Sequence, residues 1–170
     1  MSESGREIIN RVIDYTLANP DERDQWEKAP ALSGIIAWND EKHLVEADKW
    51  LERSVATQTS EGVLNYNDRI ELTSGHVRTV TPTAALSASI GYPLLLRYQE
   101  TGNERHLEAA KLHVGALMNA PRTKDGGISM RWESNELWVD FTYLMCPFLA
   151  LYGKITGNQE HIDEAFRQFE

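Results

Sequence analysis

"TGNERHLEAA", residues 101–110, and "TGNQEHIDEA", residues 156–165, decide the fold of this chain because they are two copies of one pattern. Both copies read Thr-Gly-Asn, then His, an aliphatic residue, an acid and a closing Ala. A fainter copy, "NDEKHLVEA" at residues 39–47, repeats the His-Leu pair and the Ala four positions after the His. Repeats several tens of residues apart are typical of stacked two-helix units.

The turn inside each copy has a local physical explanation. Gly102 and Gly157 are predicted to end one helix with a positive φ angle, which costs glycine little. Asn103 and Asn158 are then predicted to cap the next helix with a side-chain oxygen. Each copy is therefore a tight turn between two antiparallel helices.

The helices on the two sides of each turn differ in polarity. The segments before the turns, residues 83–98 and 137–153, are apolar nearly all round and are predicted to be buried. The helices after the turns are amphipathic and are predicted to lie on the surface. Pro93 and Pro147 fall inside the two apolar segments and should kink them.

The repeats predict an all-α fold, an α/α toroid with about three helical hairpins. Longer segments, residues 19–29, 59–82 and 120–136, join the hairpins and are expected together at one end. An inner and an outer row of helices describe an arc, and a ring of six hairpins needs about twice this chain. We therefore expect residues 1–170 to be one partial domain, half of an (α/α)6 barrel whose second half is missing. The chain is either a fragment or closes the ring as a homo-oligomer.

Composition narrows the function classes. The 170 residues are 41% hydrophobic and 25% charged, and the net charge is −9 without a Lys/Arg block, so no nucleic acid and no anionic membrane surface is expected as partner. The N-terminus has no signal h-region, and the 137–153 segment is too short and too broken to span a bilayer. The sequence thus predicts a cytoplasmic protein. Five histidines and the lone Cys146, expected to be buried, show no zinc spacing, so no metal or cofactor is predicted.

Asp140 is the candidate catalytic residue, since it is an acid in the first turn predicted for an inner helix, at the long-loop end. The helix N-terminus favours its ionised form, while apolar neighbours such as Phe141 favour the protonated form. A carboxyl group under opposed influences in a cleft is a candidate general acid/base. The alternative is that Asp140 only satisfies the first-turn amides of the helix.

The stretch "GGISMRWESNELWVDFTYLMCPFLALYGKITGN", residues 126–158, resembles glycoside hydrolase families 88 and 105, the unsaturated glucuronyl and rhamnogalacturonyl hydrolases. Their pattern is Gly-Gly, a short loop, Trp-[Ile/Val]-Asp, an apolar helix containing Pro-Phe-Leu-Ala, and an aromatic-Gly-x-x-Thr-Gly turn. The matching residues are Gly126, Gly127, Trp138, Val139, Asp140, Pro147, Phe148, Leu149, Ala150, Tyr152, Gly153, Thr156 and Gly157. The resemblance runs from about residue 82 to Glu170.

The resemblance implies an (α/α)6 barrel that removes an unsaturated uronic acid from the non-reducing end of an oligosaccharide. In that chemistry one Asp protonates the C4=C5 double bond and activates the water that adds at C5, and no metal takes part. By resemblance Asp140 is this residue and Trp138 lines the sugar site. The families carry a second acid before the preceding inner helix, where this chain has Arg78 and Thr79. Asp68 and Glu71 are candidate replacements.

Further residues are candidate substrate contacts, and most of them also have a structural alternative. His76 and Arg78 are candidates to bind a carboxylate, or are solvated loop residues. Arg131 is a candidate uronate ligand, or forms an ion pair with Glu133 or Glu136. The candidate sugar-stacking residue Trp132 alternatively fixes its loop. Trp26, near the mouth, is a candidate platform for a sugar ring. Tyr143 is a candidate to line the cavity. His106 and His161 recur at equivalent repeat positions and are expected to be structural.

Two other classes of function fit the same sequence. One is another α/α-toroid sugar enzyme, such as an epimerase of acylated amino sugars, which would use histidines at the barrel mouth. The other is a non-catalytic module, either a helical-repeat binding or scaffold protein or an inactive relative of the resembled families that still binds sugar. The departure at Arg78 and Thr79 favours the inactive relative.

Overall fold

The computed structural model describes residues 3–19, 25–64 and 83–169. Within these ranges the chain forms seven helices and no strand, apart from an isolated antiparallel bridge between Arg122 and Ile128. The helices are α1 (Glu3–Ala18), α2 (Gln25–Trp38), α3 (Glu41–Ala56), α4 (Ala84–Thr101), α5 (Glu104–Met118), α6 (Phe141–Thr156) and α7 (Gln159–Arg167). The all-α prediction is confirmed.

The tight turns between paired helices form as predicted. Gly102 and Gly157 both have φ of 68°, in the left-handed region. The Asn103 side chain accepts a hydrogen bond from the backbone N–H of Arg105, and that of Asn158 accepts one from Glu160. The first hairpin, α2–α3, uses a different chemistry, because Asn39 supplies the positive φ of 55°.

The helices form an inner and an outer row. In the inner row α4 lies between α2 and α6 and packs against both. In the outer row α3, α5 and α7 each follow an inner helix through a tight turn, and α1 packs against α3. This is the arrangement of three hairpins that was predicted for half of an (α/α)6 barrel.

The start of α6 differs from its prediction. The helix begins at Phe141, whereas the apolar run suggested a start near residue 137. Leu137, Trp138 and Val139 are all exposed, so no core burial favours a helix there. Before them, the carbonyl of Glu136 accepts a hydrogen bond from the N–H of Met130, which holds the chain in a loop. Neither α4 nor α6 is interrupted at its internal proline.

Small side chains let the helices of the core approach closely. A Cβ atom on Gly91 of α4 would lie 2.4 Å from the ring of Phe148 on α6, a ring that is fully buried. A Cβ on Gly153 of α6 would lie 2.8 Å from the backbone oxygen of Asn158, at the start of α7. Cys146 is buried in the same core, and burial raises the pKa of its thiol to about 11. The expectation that this cysteine is buried is therefore confirmed.

Polar side chains fix the outer row against its neighbours. Nε2 of His43 on α3 lies 3.1 Å from Asp14 on α1, and Nε2 of His106 on α5 lies 2.9 Å from Glu52 on α3. His161, the equivalent residue on α7, instead packs edge-on against Tyr152, with ring centroids 5.1 Å apart. The structural role expected of His106 and His161 agrees with these contacts.

His113 of α5 holds two distant points of the backbone together. Its ring is fully buried, and Nδ1 accepts a hydrogen bond of 2.8 Å from the N–H of Leu64. Nε2 donates to the carbonyl oxygen of Ala84 at 3.1 Å, so the ring is the neutral Nε2–H tautomer. Burial lowers the pKa of His113 to about 4. The imidazole therefore links Leu64, in the segment after α3, to Ala84, the first residue of α4.

Among the described residues, no helix is both long enough and apolar enough to cross a membrane.

The buried imidazole predicts a pH-dependent stability. An unfolded-state histidine has a pKa near 6.5, so between that pH and about 4 the unfolded chain binds a proton that the folded chain excludes. We expect this stabilisation to be complete above pH 6.5 and lost as the pH falls to about 4, a change on the order of 3 kcal/mol. The measurement is the free energy of unfolding in urea at pH 7, 5.5 and 4.5.

The matched variant is His113→Gln, whose amide offers an acceptor and a donor but does not titrate. It should be less stable than wild type at pH 7, and the difference between the two proteins should shrink as the pH falls. A difference that stays constant over this pH range would contradict a neutral, buried His113.

Candidate active site

The start of α4 is bonded to the loop that precedes α6. The N–H of Thr83, the residue that caps α4, donates to the carbonyl of Met130 at 2.8 Å. Its hydroxyl donates to the carbonyl of Ser129 at 2.6 Å. These bonds place the loop before α6 beside the start of α4. The N-termini of α4 and α6 and this loop therefore lie at the same end of the inner row.

Asp140 lies at this end, immediately before the first residue of α6. Its backbone is already helical, with φ −67° and ψ −17°, and its carboxylate makes no capping hydrogen bond. The sequence predicts Asp140 within the first turn of the helix, whereas in the structure this residue precedes the helix. The side chain is exposed. The alternative in which Asp140 only satisfies the first amides of the helix is not what the structure shows.

A cleft runs across the inner row close to Asp140. It has a volume of about 200 Å³ and is open to solvent. Each inner helix contributes two lining residues: Ala29 and Ser33 from α2, Ser89 and Tyr92 from α4, and Tyr143 and Pro147 from α6. Residues three apart on a helix share a face, so Asp140 stands one turn beyond Tyr143 on the cleft side of α6.

The cleft contains one of the residues that the sequence offered as a sugar contact. Tyr143 lies in the lining, where its side chain is 55% exposed. A volume of about 200 Å³ is below the roughly 300–1,000 Å³ usual for ligand sites. The lining residues come from α2, α4 and α6, so these helices would contact a sugar-sized ligand on one of its sides.

Arg131 and Trp138 meet in the loop before α6. The guanidinium carbon of Arg131 lies 5.9 Å from the centre of the Trp138 indole, a cation–π contact. Nη1 of Arg131 also donates to Glu136 at 3.3 Å, which is the ion pair considered as the alternative role for this arginine. Trp132 is exposed in the same loop. The loop thus offers one arginine and two indoles near the carboxylate.

Other predicted residues fall outside what the structure describes. His76 and Arg78 belong to residues 65–82, as do Thr79 and the candidate acids Asp68 and Glu71. Trp26 is the second residue of α2, but its side chain is outside the described part of the chain. Their proposed roles remain predictions.

Four residues at the site, Ser33, Ser89, Tyr92 and Glu136, are not among those predicted from the sequence. A signal for the first three existed, because they are polar side chains within the mainly apolar stretches 29–38 and 84–96. Glu136 was noted only as a rival ion-pair partner, since its contacts with Arg131 and Trp138 depend on loop geometry. Within the described ranges, no group of three or more His, Cys, Asp or Glu side chains is arranged to hold a metal ion.

Comparison with known proteins gives one match. A family model described as Glycosyl Hydrolase Family 88 matches residues 3–170. The searches of curated proteins and of solved structures returned no match. The matched range includes all seven described helices, the cleft and Asp140.

The uncapped carboxylate predicts a small stability effect at position 140. Asp140→Ala removes no hydrogen bond from the end of α6, so the free energy of unfolding should change by less than about 0.5 kcal/mol. Asn158→Ala, which removes the cap of α7, should cost about 1 kcal/mol. Urea unfolding of both variants gives the comparison, and an equal cost for the two would mean that Asp140 does cap α6.

Proposed function

The chain belongs to Glycosyl Hydrolase Family 88, and from this premise we propose that it acts on oligosaccharides with an unsaturated uronic acid at the non-reducing end. The family supports a glycoside-hydrolase-like function, and the finer assignment is the one implied by the Trp-Val-Asp motif at residues 138–140. The observation that carries the proposal is the Asp140 carboxylate, which is exposed and makes no capping bond, on a residue one turn before the cleft-lining Tyr143.

In the proposed reaction Asp140 is first the acid and then the base. Its carboxyl proton goes to C4 as the C4=C5 electron pair forms the new C–H bond, and the positive charge at C5 is shared with the ring oxygen. Water adds at C5 and returns a proton to the Asp140 carboxylate. The hemiketal then opens by breaking the bond from C5 to the ring oxygen, which gives a ketone at C5 and a hemiacetal at C1. The hemiacetal breaks down to an aldehyde at C1, and the aglycone leaves as an alcohol with the proton of the hemiacetal hydroxyl. Because one carboxyl group suffices, the usual pair of carboxylates of glycosidases is not required.

Charge supports a role for Arg131 in this site. A chain with a net charge of −9 repels anionic ligands at long range, so a uronate needs a local cation. Arg131 supplies one at the mouth, and the indole beside it offers an apolar face for a sugar ring. We propose that Arg131 binds the substrate carboxylate and that Trp138 and Tyr143 contact the sugar. Trp132, His76, Arg78 and Trp26 are proposed as further substrate contacts.

A non-catalytic sugar-binding module is the second candidate. The specific observation in its favour is the presence of Arg78 and Thr79 where a second acid was expected. Such a module would bind the unsaturated sugar but leave its double bond intact.

We expect the protein to abolish the ultraviolet absorbance of the conjugated C4=C5 bond in an unsaturated uronyl disaccharide. Asp140→Asn should slow this loss by about 10²–10⁴-fold, because the acid/base group is removed. The matched control is Asp163→Asn, which removes an exposed carboxylate from α7 and should leave the rate unchanged. Circular dichroism of each variant establishes that the fold is retained.

The outcomes separate the candidates. An Asp140→Asn protein as active as wild type would contradict the proposed acid. A wild-type protein that binds the disaccharide without consuming it would favour the sugar-binding module. If a complete six-hairpin relative consumes the sugar and this chain does not, the missing part of the ring accounts for the loss. If neither consumes it, the substrate class is wrong.

We further propose that residues 1–170 form half of a six-hairpin ring. The two ends of the described arc expose apolar side chains: Ile8, Val12 and Tyr15 on α1, and Phe166 and Phe169 at α7. Such flanks are expected to be covered by another part of a ring, either further chain or a second copy.

Light scattering tests closure by a second copy. We expect a mass above that of one chain, with Val12→Glu reducing it because a charge replaces the middle of the α1 stripe. Glu7→Gln on the same helix is the matched control. A well-ordered monomer would contradict closure by a second copy.

A further inference from the structure

We propose that Glu136 is a positioning residue that fixes the indole of Trp138, both directly and through Arg131, beside Asp140. The inference rests on the proposed function, because the indole is taken to contact the sugar. Glu136 itself lies in the loop between the isolated bridge and α6 and was not predicted to act there.

The carboxylate of Glu136 is shared among three side chains. Oε1 accepts hydrogen bonds from the Ser134 hydroxyl at 2.9 Å and from Nη1 of Arg131 at 3.3 Å. Oε2 accepts from the indole Nε1 of Trp138 at 3.4 Å. The two oxygens therefore hold the arginine and the tryptophan at the same time.

The backbone of Glu136 is itself fixed to a buried point. Its N–H donates to the Ser129 hydroxyl at 3.1 Å, and its carbonyl accepts from the N–H of Met130 at 2.9 Å. Ser129 is fully buried, and its own carbonyl accepts the bond from Thr83. The carboxylate thus extends from a backbone segment that is bonded to the start of α4.

Arg131 completes the support of the indole. Its guanidinium stacks over the Trp138 ring while its Nη1 is held by Glu136. The Arg131 Nε is enclosed and makes no hydrogen bond among the described residues. Loss of the carboxylate would therefore release the guanidinium from an ion pair and the indole from both of its polar supports.

The consequence concerns the orientation of an exposed side chain. Trp138 is 46% exposed and lies two residues before Asp140. A Trp side chain without partners populates several rotamers, and each bound ligand must then select one of them. Glu136 removes this cost by selecting the rotamer before the ligand arrives.

The first test is spectroscopic and needs no turnover. The near-ultraviolet circular dichroism of Trp138 is obtained by subtracting the spectrum of Trp138→Phe from that of wild type. We expect Glu136→Ala to abolish this component and Glu136→Gln to reduce it, because glutamine keeps an acceptor and loses the charge. Glu108→Gln, which breaks a surface ion pair with Lys111 on α5, should leave it unchanged. An unchanged Trp138 component in Glu136→Ala overturns the proposal.

The second test uses the unsaturated disaccharide. Glu136→Ala should raise KM about tenfold, while kcat stays within about twofold, since the indole orders the bound sugar and does not react. In a Trp138→Phe background the same substitution should raise KM by less than it does in wild type, because the indole is gone and only the contact of Glu136 with Arg131 remains. Fully additive effects would overturn the proposal. If wild type does not consume the disaccharide, the comparison with the complete six-hairpin relative tests the substrate class, and the spectroscopic result still decides the role of Glu136.

Discussion

The close contact between α4 and α6 is the constraint on which the rest of the structure depends. Gly91 leaves room for the Phe148 ring, and a side chain at that position would meet the ring at 2.4 Å. With the two helices this near, Ser89 and Tyr92 come to face Tyr143 and Pro147 across the cleft. The same contact brings Thr83, at the start of α4, to the loop before α6, where Asp140 lies. Interiors packed at this density transmit small changes in side-chain volume over the neighbouring helices.

Polar contacts between helices add to the packing of the apolar core. In the outer row a histidine near the start of one helix meets an acid of the preceding outer helix, as in His43 with Asp14 and His106 with Glu52. A bidentate ion pair from Arg97 to Asp48 links the inner helix α4 to α3 in a similar way. The third hairpin replaces this pattern with an aromatic contact between His161 and Tyr152. The three hairpins therefore place a histidine at the same position, but the group that this histidine contacts differs.

The candidate site combines one uncapped acid with a loop that is held by many hydrogen bonds. Ser129 is the buried centre of this loop, and its hydroxyl accepts from the backbone N–H groups of Arg131 and Glu136. A loop of this kind can present Arg131 and Trp138 at defined positions, as a catalytic site requires. The Asp140 carboxylate needs no such support, because its backbone continues directly into α6. A rigid frame around one accessible acid is consistent with a glycoside-hydrolase-like function.

The sequence by itself determined the hairpins. Gly102 with Asn103 and Gly157 with Asn158 fix their turns through φ angles and capping bonds that involve only neighbouring residues. It also selected Asp140, although it placed the start of α6 too early. Only the tertiary structure decided that this carboxylate is uncapped, that Glu136 holds Trp138 and Arg131, and that His113 joins Leu64 to Ala84. The physical reason is that turns and caps are local, whereas loop and cleft geometry depends on contacts between residues far apart in the chain.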